Sequence, residues 1–186
     1  MLKAVNKIYP GTPVYGKLET LTLSETDKAY IAGFIDGEGS ISIKRRNPKS
    51  EHPEAWQLII QISSLDKNVL KYISEKTGQG KIQKIKLSKY KGRENQRDIY
   101  KISINSRKAA NLLKEIYPYL KIKHKQAKIA IEFQKLIRYD WPRKGAPKGT
   151  SHIPEENLEK RWALWNECRK LNSRGNGMIS NVEGGE

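Results

Sequence analysis

The stretch from Tyr30 to Ile43, YIAGFIDGEGSISI, leaves a folding chain few choices. Its first half carries apolar residues at helical spacing, led in by Ser24 and Asp27 as a helix-start signal. Its second half alternates apolar with polar residues, as a strand does. A helix running to about Ile35 must therefore pass into a strand, Ser40 to Lys44, through Asp36-Gly37-Glu38-Gly39, with no room for a loop. Ala32 and Gly33 interrupt the apolar helix surface with small side chains, the residue type that lets two helices approach backbone to backbone. A fold built on this stretch calls for a helix pair and leaves two carboxylates at the helix end.

The rest of the chain repeats the pattern. Trp56 to Ser64 (WQLIIQISS) reads as the antiparallel partner of the first strand, across a loop holding Pro48 and Pro53. Asp66 to Thr77 places Val69, Leu70 and Ile73 on one helical face and stops at Gly78. Lys81 to Ser88 and Arg97 to Ile104 form a second strand pair joined by KYKGREN. A helix from Ser106 to Tyr117 is broken by Pro118. Ile122, Gln126, Ile129, Phe133 and Leu136 mark a further helix that ends before Trp141-Pro142. A last helix, with Leu158, Trp162 and Trp165 on one stripe, packs those tryptophans on the core. The order α-β-β-α-β-β-α plus one helix predicts an α+β fold, a four-stranded antiparallel saddle sheet with helices on one face. The corresponding divisions are a basic arm (1–23), a core domain (24–140), a Pro/Gly/Lys-rich loop (141–154), a C-terminal helix packed on the core (155–172) and a flexible tail (173–186).

Charge narrows the function. In 186 residues, 36 Lys and Arg face 20 Asp and Glu, a formal net charge of +16. Such a field draws polyanions, and phosphate neutralisation supplies most nonspecific nucleic-acid affinity. No apolar run is long enough to span a bilayer, no secretory signal opens the chain, and no helix sets a clean basic face opposite an apolar one, so no membrane partner is expected. A single cysteine, Cys168, excludes an internal disulfide framework and points to a reducing intracellular compartment. His52, His124 and His152 lack metal-ligand spacing and read as surface histidines.

Strand alternation assigns the sheet face left open by the helices. Leu58, Ile60 and Ile62 suit the helix side, which leaves Gln57, Ile59, Gln61 and Ser63 outward; Ser42, Lys44 and Arg46 share one side of the first strand, and Lys101 and Ser103 project from the last. Lys81, Gln83 and Arg97 join them as candidate DNA contacts. Lys or Arg reads guanine and Gln reads adenine in a major groove that admits a β-ribbon. At the helix end, a carboxylate and a backbone carbonyl between glycines suit a hard cation that keeps several waters. Two such ends side by side would give the arrangement of a two-metal phosphodiester hydrolysis.

The nine residues IAGFIDGEG (31–39) resemble the LAGLIDADG motif of intron-encoded homing endonucleases, and the α-β-β-α-β-β-α order is similar to that family's core over roughly 24–138. The resemblance implies that Glu38 is the catalytic, metal-binding acid, that the Gly37 carbonyl is a backbone ligand for Mg²⁺ or Mn²⁺, and that Asp36 is mainly structural. PYLKIKHKQA (118–127) resembles the family's basic segment before its third helix, which assigns Lys123 a place near the cleavage site. Ser64 stands where the family often carries an active-site glutamine, and its hydroxyl is the candidate to hold a solvent molecule. With one motif copy, the resemblance implies a homodimer joined through the motif helix, with Ala32, Gly33 and Asp36 at the interface and one Glu38 from each subunit. A strand of about eight residues spans about 26 Å, close to eight base pairs at about 3.4 Å each. Two subunits and a central gap give a pseudo-palindromic duplex of about 20 base pairs, and the resemblance implies that it is cut across the minor groove with short 3′ overhangs. An RNA maturase of the same fold and a catalytically weak DNA-binding relative are the alternatives.

Overall fold

The computed structural model of the protein describes residues 21–45, 56–87, 95–137 and 155–173. The expectations for most of the arm, for Arg46, His52 and the Pro48–Pro53 loop, for most of KYKGREN, for the 141–154 loop with His152 and for the tail beyond Ser173 fall outside these residues.

The first helix, α1, is Glu25–Glu38, opened by a capping box in which Ser24 and Asp27 each accept the other's backbone N–H. It continues through Asp36 and Gly37 to Glu38, past the expected end near Ile35, because the first residue that stops it is Gly39. The Gly39 N–H donates to the Ile35 carbonyl, and the chain then leaves in extended geometry. A Cβ at Gly39 would lie 2.8 Å from the Ile35 carbonyl oxygen and 2.9 Å from its Cα. Close approach therefore demands this glycine, whose φ of −90° suits any residue. Gly37 is helical as well, so neither Gly37 nor Gly39 takes the left-handed geometry that glycine alone adopts readily.

Strand β1 (Gly39–Arg45) pairs antiparallel with β2 (Trp56–Ser64), joining Gly39 to Ile62 and Lys44 to Gln57. Helix α2 (Lys67–Thr77) is capped by Asp66 at its start and by left-handed Gly78 (φ 60°) at its end. Strand β3 is Gln83–Ile85, much shorter than the expected Lys81–Ser88, and β4 is Ile99–Asn105. Helix α3 (Ser106–Ile116) runs into a short 3₁₀ turn at Tyr117–Tyr119, where Pro118 bars further α-helix, and α4 spans His124–Leu136. Among the described residues these strands form one antiparallel sheet in the order β1-β2-β4-β3.

Ile41, Ile43, Leu58, Ile60, Ile62, Ile102 and Ile104 alternate along the strands and are buried under the helices, with Ile31, Ile35, Leu112, Leu113 and Phe133 opposite them. Ile122, expected on the core stripe of α4, lies ahead of that helix and is 71% exposed. A backbone turn anchored elsewhere holds residues 121–123.

Helix α5 (Glu155–Asn172) packs on α4 and β1. Trp56 is its socket, with ring centres of Trp162 at 5.0 Å, Trp165 at 5.5 Å and Phe133 at 6.4 Å. At its far end the Asn172 side-chain amide donates to the Ile41 carbonyl at 2.8 Å, so an edge strand that would otherwise offer a free ladder is covered. Cys168 is buried beside that carbonyl, and burial pushes its thiol above the ordinary range, which makes it a poor nucleophile near neutral pH.

Candidate active site and nucleic-acid interface

The C-terminal end of α1 is tied to the turn before α4 by one side chain. Asp36 Oδ2 accepts the backbone N–H groups of Lys121 at 2.6 Å and Ile122 at 3.1 Å, and Oδ1 accepts that of Lys123 at 2.9 Å. Burial alone would raise this carboxyl, but the amides of Lys121, Lys123 and Ile122, together with the Lys123 charge, outweigh it and hold it below the usual range. The Lys123 ammonium completes the link by donating to the Asp36 backbone carbonyl. Lys123 therefore sits at the helix end from which Glu38, exposed, projects two residues later. No basic residue occupies the last turn of α1, so its negative dipole end is offset by Lys123, from outside the helix.

The other end of α1 is fixed as firmly. Asp27 accepts from the Tyr72 hydroxyl and, at 3.0 Å, from the Lys76 ammonium, both on α2. The Tyr72 bond, then Lys76 and Ser24, hold its carboxyl far below the ordinary range. Lys28 reaches Glu115 of α3 at 3.4 Å. A helix clamped at both ends presents Glu38 from a rigid element.

Ser64 is placed otherwise. β2 runs past the Gly39–Ile62 pair to Ser64, at the end of the sheet where α1 finishes, but Ser64 pairs with Tyr100 and shares the helix-side alternation of Ile62. Its hydroxyl accepts the Asp66 N–H at 3.0 Å and helps to open α2. Lys123 and Glu38 are brought to one helix end; the Ser64 hydroxyl has a structural use.

On the open face the register aligns rows across three strands: Ser42 with Ile59 and Asn105, Ser40 with Gln61 and Ser103, and Gln83 with Lys101 and Ser63. Gln57 and Lys44 pair beyond the first row. Lys44 donates to Gln61 Oε1 at 3.2 Å, and Gln61 Nε2 donates to Ser103 Oγ at 3.4 Å, so this amide is oriented by both neighbours. Lys81 and Arg97 are exposed just outside β3 and β4 and belong to no row. Ser40 and Asn105 share the face and were missed by the sequence reading, although one more step of alternation reaches each.

The LAGLIDADG endonuclease model matches residues 31–137, more than half of the chain. The chain belongs to the LAGLIDADG endonuclease family. The homing endonuclease I-CvuI bound to the I-CreI target in 2 mM Mg, with its DNA uncleaved, has TM-score 0.59 and 16% identity over 82% of this chain and 85% of that one. An archaeal intron-encoded homing endonuclease, I-Vdi141I, complexed with DNA, has TM-score 0.59 and 21% identity over 81% and 86%. The meganuclease I-SmaMI bound to uncleavable DNA has TM-score 0.53 and 15% identity, covering 80% of this chain but 45% of that one. At these identities the likeness establishes the shared fold. No curated protein sequence matches the chain significantly.

The motif helix of this LAGLIDADG chain divides into an inner and an outer face. Ala32 has 0% exposure and packs within the chain's own core. Asp36, at 8%, is turned inward to the 121–123 amides. In the single chain the two side chains named for the dimer contact thus lie on the inner side of the helix, Ala32 in the core and Asp36 against the 121–123 turn. Gly33 and Gly37, one helical turn apart, are exposed with nothing within 4 Å of either Cβ position. The small-residue face is thus Gly33 and Gly37, with exposed Ile122 held close to the helix end by Asp36.

The donors at the α1 end fit a hard divalent cation by type: an exposed carboxylate and the helix-terminal carbonyl of Gly37. Among the described residues no group of three His, Cys, Asp or Glu side chains gathers where it could hold a metal ion.

Proposed function

We propose that this chain is a homodimeric, divalent-metal-dependent DNA endonuclease that cuts both strands of a pseudo-palindromic duplex of about 20 base pairs, leaving short 3′ overhangs. The observation that supports this reading most is the Lys123 ammonium bound to the Asp36 carbonyl, at the helix end that carries Glu38. A carboxylate at the negative end of a helix repels a phosphodiester unless cations compensate it. Lys123 supplies one fixed positive charge there, placed to orient the attacking water or to stabilise charge on the phosphorane. Glu38 and the Gly37 carbonyl would hold Mg²⁺ or Mn²⁺, which supplies Lewis-acid activation of water and phosphate when bound. Two copies meeting along Gly33 and Gly37 would set two Glu38 carboxylates side by side, one for each strand. The open face then lies along the duplex, with Lys44 and Lys101 suited to guanine edges and Gln57, Gln61 and Gln83 to adenine edges. Ser63 offers its hydroxyl to either.

A catalytically weak DNA-binding relative is the second reading, and the engagement of Ser64 with Asp66 favours it. Cleavage of a plasmid library with Mg²⁺, comparing wild type with Glu38→Gln at equal dimer concentration and sequencing the cut ends, separates the two. A single, nearly two-fold site cut only by wild type is expected. Intact duplex binding without cutting in any divalent metal would instead establish the binding protein.

A further inference from the structure

We propose that the groove between β1 and the C-terminal part of α5 clamps the sugar-phosphate backbone of duplex DNA, with Arg169 as its principal cation. This rests on the DNA-binding reading of the open face and adds a contact outside it. The groove, about 320 Å³, is lined by Ser42 and Lys44 of β1 and by Trp165, Cys168, Arg169 and Asn172 of α5. Ser42 and Lys44 also belong to the open face. The groove therefore continues that face past its outer strand, where a duplex lying on the sheet presents backbone rather than base edges.

Arg169 is built for a phosphate. Its guanidinium carbon lies 5.5 Å from the centre of the Trp165 ring, a cation–π contact that holds the head group beside the indole and leaves N–H groups to donate. Among the described residues no carboxylate forms an ion pair with it. Glu167, two positions earlier on α5, does not share its helix face. The wall is rigid, because Asn172 is bonded to the Ile41 carbonyl and Trp165 packs on Trp56. The negative end of the α5 dipole opposes a phosphate, but Arg169 and Lys170 occupy that last turn and offset it.

The test is the salt dependence of binding to a fluorescent duplex of random sequence, for wild type, Arg169→Gln, Arg169→Lys and Lys114→Gln. Lys114, exposed on α3 on the helix side of the sheet, controls for net charge. The slope of log K against log salt should fall in magnitude by about 0.9 for each Arg169 engaged on the duplex, about 1.8 for a dimer of Arg169→Gln, stay near wild type in Arg169→Lys and change far less in Lys114→Gln. A wild-type slope in Arg169→Gln, or an equal loss in Lys114→Gln, would overturn the clamp while leaving DNA binding by the open face intact. Absence of duplex binding by wild type at low salt would remove both readings together.

Discussion

Lys123 and Asp36 are joined twice, the lysine amide donating to Asp36 Oδ1 at 2.9 Å and the lysine ammonium donating to the Asp36 carbonyl. One bond sets the turn before α4, the other sets the cation. The same aspartate thus carries a structural load that fixes the position of a chemical group, and the two roles separate by mutation.

Asp36→Asn keeps the size of the side chain but turns an amide group toward backbone N–H donors. A loss of about 2–4 kcal/mol is expected near neutral pH, since hydrogen bonds to a charged acceptor are the costlier ones to lose. The folded carboxyl is held below its ordinary value of about 3.9. Its contribution is therefore complete above that pH and disappears as pH falls through the depressed folded value. Urea unfolding from neutral pH down to about pH 3 should show a shallower acid limb in the variant than in wild type. Equal limbs and an unchanged midpoint would refute the clamp.

Lys123→Met removes the ammonium and leaves the backbone amide that Asp36 needs. Stability should change by under about 1 kcal/mol, duplex affinity should be retained within several-fold, and the single-turnover cutting rate should fall by about a hundredfold or more, as for loss of one electrostatic stabiliser. A rate within a factor of about two of wild type would end the assignment of Lys123 to the transition state.

Gly33→Leu fills space that is empty in the protomer. The chain should fold with its circular dichroism unchanged, because leucine favours a helix over glycine, while self-association should weaken by at least about tenfold from loss of close helix approach. Sedimentation velocity over a dilution series reads this directly. Undisturbed self-association would contradict a contact through Gly33, and a monomer at every dilution of wild type would contradict the proposed dimer.

Gly39→Ala brings a methyl carbon to 2.8 Å from the Ile35 carbonyl oxygen, a backbone atom that cannot swing aside. Destabilisation of about 1–3 kcal/mol is expected from this overpacking, with a drop in cutting that exceeds any drop in binding, since the shift falls next to Glu38. Thermal melts paired with single-turnover assays check both halves. A full-activity, full-stability variant would contradict the close approach.

Trp56→Ala removes the ring on which Phe133, Trp162 and Trp165 converge. A cost of about 3–5 kcal/mol is expected, with collapse of the near-ultraviolet tryptophan signal and proteolytic release of α5 ahead of the core. Retention of α5 under limited proteolysis would show that its anchor lies in Asn172 instead.

Much of the architecture was legible because two periods do not depend on context. The alternation WQLIIQISS placed Leu58, Ile60 and Ile62 inward, and the register agrees, because a one-residue slip would expose the whole set. The helix-start signal of Ser24 with Asp27 and the stop at Gly78 were equally readable, since caps act over three or four residues, whereas Asp66, read as the first helical residue, is the cap of α2. Periodicity failed where length was decided elsewhere. β3 shortened to Gln83–Ile85 because ladder bonds depend on its neighbour, β4, and not on its own pattern.

The sequence by itself determined the polar face of the sheet and a helix-to-strand passage within residues 36–39, because these follow from a period of two and from local sterics. Only the tertiary structure decided which side of α1 faces inward. Helical rotation buries Ala32 and Asp36 and leaves Gly33 and Gly37 bare, and the core that selects this rotation is assembled from strands distant in sequence. It also decided that Asp36 grips the amides of residues 121–123, a contact spanning more than eighty residues of chain, and that α5 closes the edge of β1 through Asn172. Such contacts leave no periodic trace, since each joins a single side chain to backbone whose position exists only after folding.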